Sequence, residues 1–399
     1  MSERTVLVVA KAPAPGRAKT RLVPPLTPEQ AAAVQEALLL DTLAACRAEV
    51  PETGLLYAEP GEARELRRLV GPGTRLVLQE GRGLGDALRL SLARHLDRGP
   101  TALVSSDIPG VPPGSLGRAF ALLEEGTDVV LGPALDGGYW LIAMRNFSDA
   151  PFCGIPWSTP AVYAVTLRRC GQAGLRVATL DFWRDVDTAV DLAFLNAADG
   201  LPAPRTMRIL RSLALSDAVG DPPRLRLEAS RLVTGSPWRA VIEDRLLTDD
   251  GRYTGYAYLA VPRAAFIVPV TDAGEVVLVR QYRHPVRDWT LEIPAGSVDD
   301  GETPLEAAER ELAEEVGGRA RQWRHLTTFY SSSAHTSLRS DAFLATGVVL
   351  GRSAPDLDED VAIVRMPVAE ALAGARAGCF LEGQTALAIL LAAPHLDGI

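Results

Sequence analysis

Residues 296–318 read GSVDDGETPLEAAERELAEEVGG, and this stretch decides the fold of the second half of the chain. Thr303 and Pro304 form a typical helix start, and Gly317 forms a typical helix end. The apolar residues between them recur at helical spacing and predict a buried stripe: Leu305, Ala308, Leu312 and Val316. The stretch therefore predicts a helix that packs one face on a core.

Three glutamates of this helix, Glu311, Glu314 and Glu315, project together beside the apolar stripe. Like charges three and four residues apart repel on a helix, so we expect a cation against them. Carboxylate oxygens suit a hard cation such as Mg²⁺ or Mn²⁺, with water and phosphate completing the coordination shell. The charges alone leave a solvated acidic helix face open as the alternative.

The full spacing of the stretch is more specific than its charges. Five residues separate Gly296 from Glu302, seven more precede Arg310, and the run from Arg310 to Gly317 reads RELAEEVG. This pattern resembles the Nudix box and departs from it only at Gly318, where an aliphatic residue is expected and where glycine could loosen the packing after the helix. The resemblance implies an α/β/α sandwich that hydrolyses a nucleoside diphosphate linked to another group into two monophosphates.

The same resemblance assigns roles to the charged residues. It makes Glu311, Glu314 and Glu315 the ligands of the metal, and it pairs Arg310 with Glu302 to fix the preceding loop against the helix. Bound Mg²⁺ or Mn²⁺ would stabilise charge on the diphosphate and help to generate hydroxide from water. A nucleotide sensor without turnover is the rival function, and it predicts eroded carboxylates, whereas all of these residues are present.

The flanking segments LVRQYRHPV (278–286) and LEIPAG (291–296) resemble the ADP-ribose and nucleotide-sugar pyrophosphatase branch of that family. By this likeness Arg283 contacts phosphate, while Glu292 and the carbonyl of Ala295 lie at the metal site. Taken as residues alone, Arg283 could equally cap a strand edge, and Glu292 could equally pair with a neighbour.

The segment YSSSAHTSLRSDAFLA (330–345) departs from that branch. Leu338 occupies the position where the branch carries a loop glutamate, and Asp341 is the nearest acid. His335 could serve as a proton acceptor, since histidine titrates near neutrality, although a surface histidine without a role is the alternative. The substrate and the general base therefore stay open at this stage.

The first half of the chain alternates between strand-like and helix-forming segments, beginning with TVLVVA (5–10) and a long helical run from Pro28. Such alternation predicts a mostly parallel, doubly wound α/β sheet. After a Pro/Gly-rich break the strands are joined by a hairpin turn, DAG, instead of by helices. We therefore expect a first domain at 1–208, a linker at 209–222 and a second domain at 223–399.

The loop AKAPAPGRAKTRL (10–22) follows the first strand, at the sheet edge where open α/β folds bind ligands. Its basic residues can neutralise phosphates, and Lys11, Lys19 and Arg21 are the candidates for substrate binding. The loop has neither a dinucleotide fingerprint nor a P-loop, so a solvated basic loop is the alternative.

Further segments add specificity: GRGLGDAL (81–88), SSDIPGVP (105–112), LGPALDGGYWLIAM (131–144), IPWSTPAVY (155–163) and RDVDTAVDL (184–192). Together with the basic loop they resemble a GT-A-like family of nucleotide-dependent transferases, the arsenosugar-biosynthesis glycosyltransferases, and more distantly the guanylyltransferases. The resemblance implies a nucleotide-diphospho-sugar transferase fold. Because Asp107 follows two serines instead of forming a DxD motif, transfer of a sugar and transfer of a nucleotide both remain open.

By this resemblance Lys19 and Arg21 bind the nucleotide phosphates, Gly83 and Gly85 belong to the base-side loop, and Asp107 is a metal ligand. The other acidic candidates are Asp136, for the substrate, and Asp187, for the metal. A helix N-cap is the alternative for Asp187, since a helical segment begins there. Trp140 and Trp157 are expected in the core rather than as stacking platforms for a base.

Composition bounds the remaining possibilities. A chain of 399 residues with 47% hydrophobic composition suggests two or three domains, and a net charge of −9 disfavours a nucleic-acid binder. The four cysteines lie far apart, no apolar run approaches a membrane span, and we expect a soluble cytoplasmic enzyme that acts on nucleotide sugars. Family likeness also suggests a homodimer formed through residues 224–260.

Overall fold

The computed structural model describes residues 3–198, 200–213, 224–235, 239–351 and 361–396. The chain forms two compact units, Met1–Ala257 (the first unit) and Tyr258–Ile399 (the second unit). The sequence analysis placed the start of the second domain at 223. In the structure, the strands between 224 and 257 are grouped with the first unit. The predicted linker is helical over 209–213, and its remainder, 214–222, lies outside the described residues.

The first unit is built on a seven-stranded sheet. Its strands are Thr5–Ala10 (β1), Thr53–Tyr57 (β2), Leu76–Leu78 (β3), Thr101–Ser105 (β4), Val129–Pro133 (β5), Tyr139–Met144 (β6) and Val177–Thr179 (β7). Its helices are Pro28–Glu49 (α1), Ala63–Val70 (α2), Gly83–His95 (α3), Ser115–Glu124 (α4), Val162–Gln172 (α5), Ala189–Ala197 (α6) and Pro204–Leu213 (α7).

The strand order of this sheet is β3-β2-β1-β4-β6-β5-β7. Pairings β1–β2, β1–β4, β2–β3 and β5–β7 are parallel, whereas β6 runs antiparallel to both of its neighbours. Leu43 and Phe120 pack on one face of the sheet, and Leu92 and Tyr163 pack on the other. The prediction of a mostly parallel, doubly wound sheet is therefore confirmed.

The antiparallel strand β6 is the element that the alternation of segments did not predict. Asp136, Gly137 and Gly138 turn the chain from β5 into β6, and Gly137 has a φ of 90°. A Cβ atom at Gly137 would lie 2.0 Å from the carbonyl oxygen of Pro160, so only glycine fits this turn. Trp140, on β6, is 1% exposed, which confirms its predicted place in the core.

A second, three-stranded sheet follows α7. Its strands are Arg226–Gly235 (β8), Ala240–Leu247 (β9) and Tyr253–Ala260 (β10), in the order β10-β9-β8. Four large apolar side chains of this region are exposed: Leu225, Val233, Tyr253 and Tyr256. The boundary between the two units falls inside β10.

The second unit contains a mixed sheet. Its strands are Ala264–Thr271 (β11), Glu275–Arg283 (β12), Asp288–Glu292 (β13), Ala295–Ser297 (β14), Gly318–Arg319 (β15), Gln322–Tyr330 (β16), Arg339–Leu350 (β17) and Val361–Pro367 (β18). Its helices are Pro304–Val316 (α8), Val368–Ala377 (α9) and Gly383–Ala392 (α10). Strands β11 and β12 form the predicted hairpin, closed by a bond from the Gly274 amide to the Thr271 carbonyl.

Helices cover both faces of this mixed sheet. Ala308 and Leu312 of α8 pack on one face against Ile267, while Ala388 and Ile389 of α10 pack on the other face. This arrangement is the α/β/α sandwich that the sequence pattern predicted.

Helix α8 begins and ends where the sequence indicated. Thr303 caps it in a reciprocal box with Glu306, and Gly317 ends it in the left-handed conformation. Leu305 corrects the predicted stripe, because it is 38% exposed. Gly318 leaves no void, since a Cβ atom there would lie 2.9 Å from Cγ of Leu312.

The cysteines and the apolar character of the helices complete the description. All four cysteines are free thiols, with Cys46 and Cys170 buried and Cys153 and Cys379 exposed. Among the described residues, no helix combines the length and the apolar character that crossing a membrane requires.

Candidate active sites

Arg310 organises the acidic face of α8. Its guanidinium donates to both carboxylate oxygens of Glu302 at 3.0 Å and to the carbonyl of Ser297 at 2.7 Å. It also contacts Glu311 at 2.6 Å and Glu314 at 3.1 Å. The hydrogen bonds to Glu302, and then those to Glu311, hold the pKa of Arg310 above its ordinary value although burial opposes this. The ion pair that was predicted between Arg310 and Glu302 is thus present.

Gly296 makes room for the carboxylate of Glu311. It lies in β14, which packs beside α8, and a Cβ atom built there would lie 1.9 Å from Oε1 of Glu311. The glycine that opens the 296–317 pattern therefore has a steric reason in this fold. Its missing side chain is the space that the carboxylate occupies.

The three glutamates of α8 differ in exposure. Glu315 is buried at 6% exposure, whereas half of the Glu314 side chain is open to solvent. Across the described residues, no three histidine, cysteine, aspartate or glutamate side chains form a ready-made metal cluster, and Arg310 supplies the counter-charge to Glu311 and Glu314. Nevertheless the donor chemistry suits a hard divalent cation, because Glu311, Glu314 and Glu315 offer only carboxylate oxygens and Gly296 gives the Glu311 carboxylate its space.

Glu292, on β13, is held by its neighbours on the sheet. Arg283 donates to both of its oxygens, at 3.0 and 2.6 Å, and Thr290 and Gln281 donate as well. Burial raises the pKa of Glu292, but the hydrogen bonds from Arg283 and Thr290 lower it further, so the pKa lies below the ordinary value. The structure thus brings Arg283 and Glu292 together as a pair. The carbonyl of Ala295 follows on β14.

Asp341, the acid nearest to the altered loop, lies in β17 and is 1% exposed. Arg263 forms a two-pronged ion pair with it, Thr328 donates to it at 2.7 Å, and His325 lies 3.2 Å away. Burial raises the pKa of Asp341, but the hydrogen bonds from Arg263 and Thr328 and the charge of Arg263 lower it below its ordinary value. A buried carboxylate in such a network is a structural residue rather than a mobile base.

The other two residues of the altered segment have local contacts. His335 is exposed and its Nδ1 lies 3.1 Å from Oγ of Ser332. The Leu338 amide donates to Thr336 within the same loop.

In the first unit, Lys19 lies between the two aspartates that were predicted to bind a metal. Its Nζ atom is 2.9 Å from Oδ1 of Asp107 and 2.8 Å from Oδ1 of Asp187, and its side chain is 4% exposed. Arg21 approaches Asp187 at 3.6 Å and is half exposed. The structure thus assembles Lys19, Asp107 and Asp187 in one cluster.

Helix α6 shows that Asp187 is not its N-cap. Thr188 occupies that position, in a capping box with Asp191, so the capping interpretation of Asp187 is wrong. Burial raises the pKa of Asp187, but the ammonium of Lys19 lowers it more, leaving the pKa below the ordinary value. The carboxylate of Asp187 is therefore ionised and committed to this cluster.

Asp185 and Asp191, which the sequence analysis did not single out, also belong to this region. Burial, and then the charges of Asp136, Asp187 and Asp191, raise the pKa of Asp185 to about 8. Asp136 is exposed and accepts a bond from the Gly138 amide at 2.8 Å. Both Asp185 and Asp191 lie in the segment 184–192, but a linear sequence does not show that their charges meet those of Asp136.

The predicted base-side glycines lie at the start of α3. Gly83 is its first residue, and a Cβ atom at Gly85 would lie 2.3 Å from Nε1 of Trp157. Trp157 is partly buried and packs on the core, as predicted. Lys11, in the basic loop, is exposed.

Family models match a segment of each unit. The NUDIX domain model matches residues 261–381, and a model described as "Uncharacterized protein conserved in bacteria (DUF2064)" matches residues 42–159. The chain belongs to the Nudix family through its second unit and joins a DUF2064 region to it. It is thus an enzyme with a Nudix hydrolase domain and a transferase-like first domain.

Individual relatives agree with this assignment. The ADP-ribose pyrophosphatase of Bacillus subtilis is 34% identical over 130 residues, which are 32% of this chain and 70% of that protein. The methanol dehydrogenase activator of Bacillus methanolicus is 32% identical over 130 residues, again 32% of this chain and 70% of that protein. A crystal structure from Desulfovibrio desulfuricans G20, described as that of a nucleotide-diphospho-sugar transferase, is 30% identical with a TM-score of 0.50, over 55% of this chain and 97% of that one.

Proposed function

We propose that the second unit hydrolyses the diphosphate bond of a nucleotide sugar similar to ADP-ribose and releases two monophosphates. The observation that carries this proposal is the Arg310 network, which fixes Glu311 and Glu314 on α8 beside the loop that Glu302 anchors. The similarity to ADP-ribose pyrophosphatases supports the substrate class.

The carboxylates of Glu311, Glu314 and Glu315, with the Ala295 carbonyl, would hold Mg²⁺ or Mn²⁺. Such an ion, when bound, stabilises negative charge on the diphosphate and lowers the pKa of water. Arg310 keeps two of these carboxylates in place, and Gly296 leaves the Glu311 carboxylate its space. Arg283 would have to break its two hydrogen bonds to Glu292 in order to bind phosphate. Its side chain is 44% exposed, which favours access from solvent.

For the first unit we propose a nucleotide-binding transferase that acts on a sugar or a nucleotidyl group. Lys11 and Arg21 lie in the exposed basic loop after β1, near the carboxyl end of the sheet, and Gly83 and Gly85 begin α3. The similarity to a nucleotide-diphospho-sugar transferase supports this class. In a cytoplasmic bifunctional enzyme, one unit would make or use a nucleotide-linked compound and the other would cleave a related one.

Phosphorus NMR of the purified chain with Mg²⁺ tests both proposals. ADP-ribose, a panel of nucleotide sugars, and the four NTPs with sugar phosphates are the substrates. We expect two monophosphates from a diphosphate, lost in Glu315→Gln but retained in Glu309→Gln, an exposed neighbour on the same helix. Pyrophosphate release that survives Glu315→Gln and is lost in Asp107→Asn would assign nucleotidyl transfer to the first unit.

A sensor without turnover is the competing function, because Leu338 replaces the loop glutamate of the pyrophosphatase branch. Calorimetric binding of ADP-ribose with metal present, and no cleavage over the same time, would favour that function and contradict hydrolysis. The proposed homodimer rests on the exposed apolar side chains of β8–β10, including Val233 at 49% and Tyr253 at 53% exposure.

A further inference from the structure

Lysine is almost absent from this chain. Among its 41 lysine and arginine residues, only Lys11 and Lys19 are lysines, and both lie in the loop after β1. The two residue types differ physically, since an ammonium is a compact point charge with three donors and a guanidinium is a planar fork. Lysine at position 19 is therefore consistent with a site that requires a compact cation.

The geometry around Lys19 agrees with that requirement. Its Nζ atom bridges Oδ1 of Asp107 and Oδ1 of Asp187, at 2.9 and 2.8 Å, and only 4% of its side chain is exposed. A divalent ion that bridged the same two Oδ1 atoms would have to occupy the position that the ammonium already holds. Because the ammonium also repels a second cation close by, a bridging metal does not fit this pair while Lys19 is in place.

The backbone fixes the three members of this cluster. Ala18 and Leu22, on either side of Lys19, are 5% and 0% exposed, and the Leu22 amide donates to the Lys19 carbonyl at 2.9 Å. The Val186 amide donates to the Asp107 carbonyl at 2.8 Å, which holds the segment of Asp187 against that of Asp107. The backbone segments that carry the three charged residues are therefore anchored next to each other.

We propose that Lys19 is the resident cation of the first unit, and that the Asp107–Asp187 pair takes up no divalent metal while Lys19 is present. Nucleotide phosphates in the first unit would meet the exposed Lys11 and Arg21 instead of Lys19. This inference does not depend on the hydrolase proposal, because it concerns other residues.

The charge state of Lys19 agrees with such a role. Burial lowers the pKa of Lys19, but the carboxylates of Asp107 and Asp187 raise it further, so the pKa lies above the ordinary value of a lysine. The ammonium is consequently charged at neutral pH, and it can act as a permanent counter-ion.

The scarcity of lysine makes a direct test possible without changing the site. A full-length chain labelled with ¹³C,¹⁵N-lysine gives two lysine side-chain spin systems, which Lys11→Met and Lys19→Met assign. The Glu314→Gln/Glu315→Gln background reduces Mn²⁺ binding to the second unit. We expect the Lys19 signals to persist through equimolar Mn²⁺. Their selective broadening, prevented by Asp107→Asn, would overturn the proposal, because a paramagnetic ion would then lie at the pair.

Removal of the lysine provides the converse test. In the same background, Lys19→Met is expected to bind about one additional Mn²⁺ per chain, measured by electron paramagnetic resonance, since two carboxylates lose their cation. Asp107→Asn in that variant should abolish the additional site, and Lys11→Met should not create one. A folded Lys19→Met variant that binds no more Mn²⁺ than its parent would contradict the proposal. Should that variant misfold, the spectra of the lysine-containing chain still decide the question.

Discussion

At the scale of single residues, the two candidate sites resolve the same electrostatic difficulty. Crowded carboxylates repel, and each unit places one basic side chain among them. Arg310 uses its planar fork to reach Glu302, Glu311 and Glu314 together. Lys19 uses a compact ammonium to reach Asp107 and Asp187. The choice between the two side chains follows from how many carboxylates must be joined and how far apart they lie.

Replacement of Arg310 by lysine should distinguish the effect of its positive charge from the effect of its guanidinium geometry. Arg310→Lys keeps the positive charge but cannot hold both oxygens of Glu302 and contact Glu311 and Glu314 together. We expect a loss of about 2 kcal/mol in the free energy of unfolding and at least a tenfold loss of diphosphate cleavage. Urea titration and phosphorus NMR measure the two effects. Arg321→Lys, at an exposed ion pair, is the control, and equal behaviour of both variants would contradict the prediction.

Asp341 should make the stability of the second unit sensitive to acid. Its pKa is lower in the folded chain than the value of about 3.9 for an unfolded aspartate. Its contribution is therefore complete above that value and is lost as the pH falls through the lower folded-state pKa.

We accordingly expect Asp341→Asn to be less stable than the parent at neutral pH and to lose less stability than the parent as the pH falls below about 4. Urea unfolding at each pH gives the free energy of unfolding of the parent and of the variant, and its slope against pH is compared between them. Asp272→Asn, at an exposed pair with Arg321, should keep the slope of the parent. Identical slopes for the parent and Asp341→Asn would show that this carboxyl does not titrate as its contacts predict.

At the scale of elements, the second site depends on a short strand that supports a helix. Strand β14 pairs with β11, with Gly296 opposite Ala265, and it brings the backbone under α8. Thr303 and Gly317 fix where α8 begins and ends, so the glutamates face the strand in a defined register. The position of the carboxylates thus results from the strand pairing and from the helix caps together.

Gly296→Ala tests this support. The added methyl group would overlap the Glu311 carboxylate, whose flexible end can move away at small cost to the fold. We therefore expect a Tm change of only a few degrees, corresponding to about 1 kcal/mol or less, but at least a hundredfold loss of cleavage. Gly383→Ala, where a Cβ atom meets nothing within 4 Å, is the matched control. Full activity in Gly296→Ala would show that cleavage does not depend on the space that Gly296 leaves for the Glu311 carboxylate.

At the scale of the whole molecule, the chain combines two units that each have their own core. The first has hydrophobic clusters on both faces of its seven-stranded sheet, and the second has them on both faces of its mixed sheet. Between 224 and 260, however, Leu225, Val233, Tyr253 and Tyr256 stay exposed. Exposed apolar patches of this kind are typical of interaction surfaces.

If this sheet forms the proposed homodimer, a charge on it should weaken association. Val233→Asp places a carboxylate at a residue that is 49% exposed, and we expect at least a tenfold weaker dimer, or about 1.4 kcal/mol. Sedimentation velocity over a concentration series measures the change. Val349→Asp, on β17 at 64% exposure, is the control. A parent chain that is monomeric at every concentration would refute the dimer.

Much of the fold could be predicted because its signals are local. Thr303, Pro304 and Gly317 determine the ends of α8 through their own backbone preferences, and the alternation of segments in the first half predicts its doubly wound sheet. Leu305 was misjudged because a helical period does not show how far the partner surface extends. Strand β6 was missed because its turn depends on the close approach of Pro160 to Gly137.

The sequence by itself determined the residue types at both sites, since spacing and chemistry are written along the chain. Only the tertiary structure decided which charges meet. Lys19 lies 168 residues from Asp187 and yet bonds to it, while Asp341 is paired to Arg263 and so is removed from the candidate bases. The physical reason is that electrostatic interaction depends on distance and burial, which the folded backbone sets and the order of residues does not.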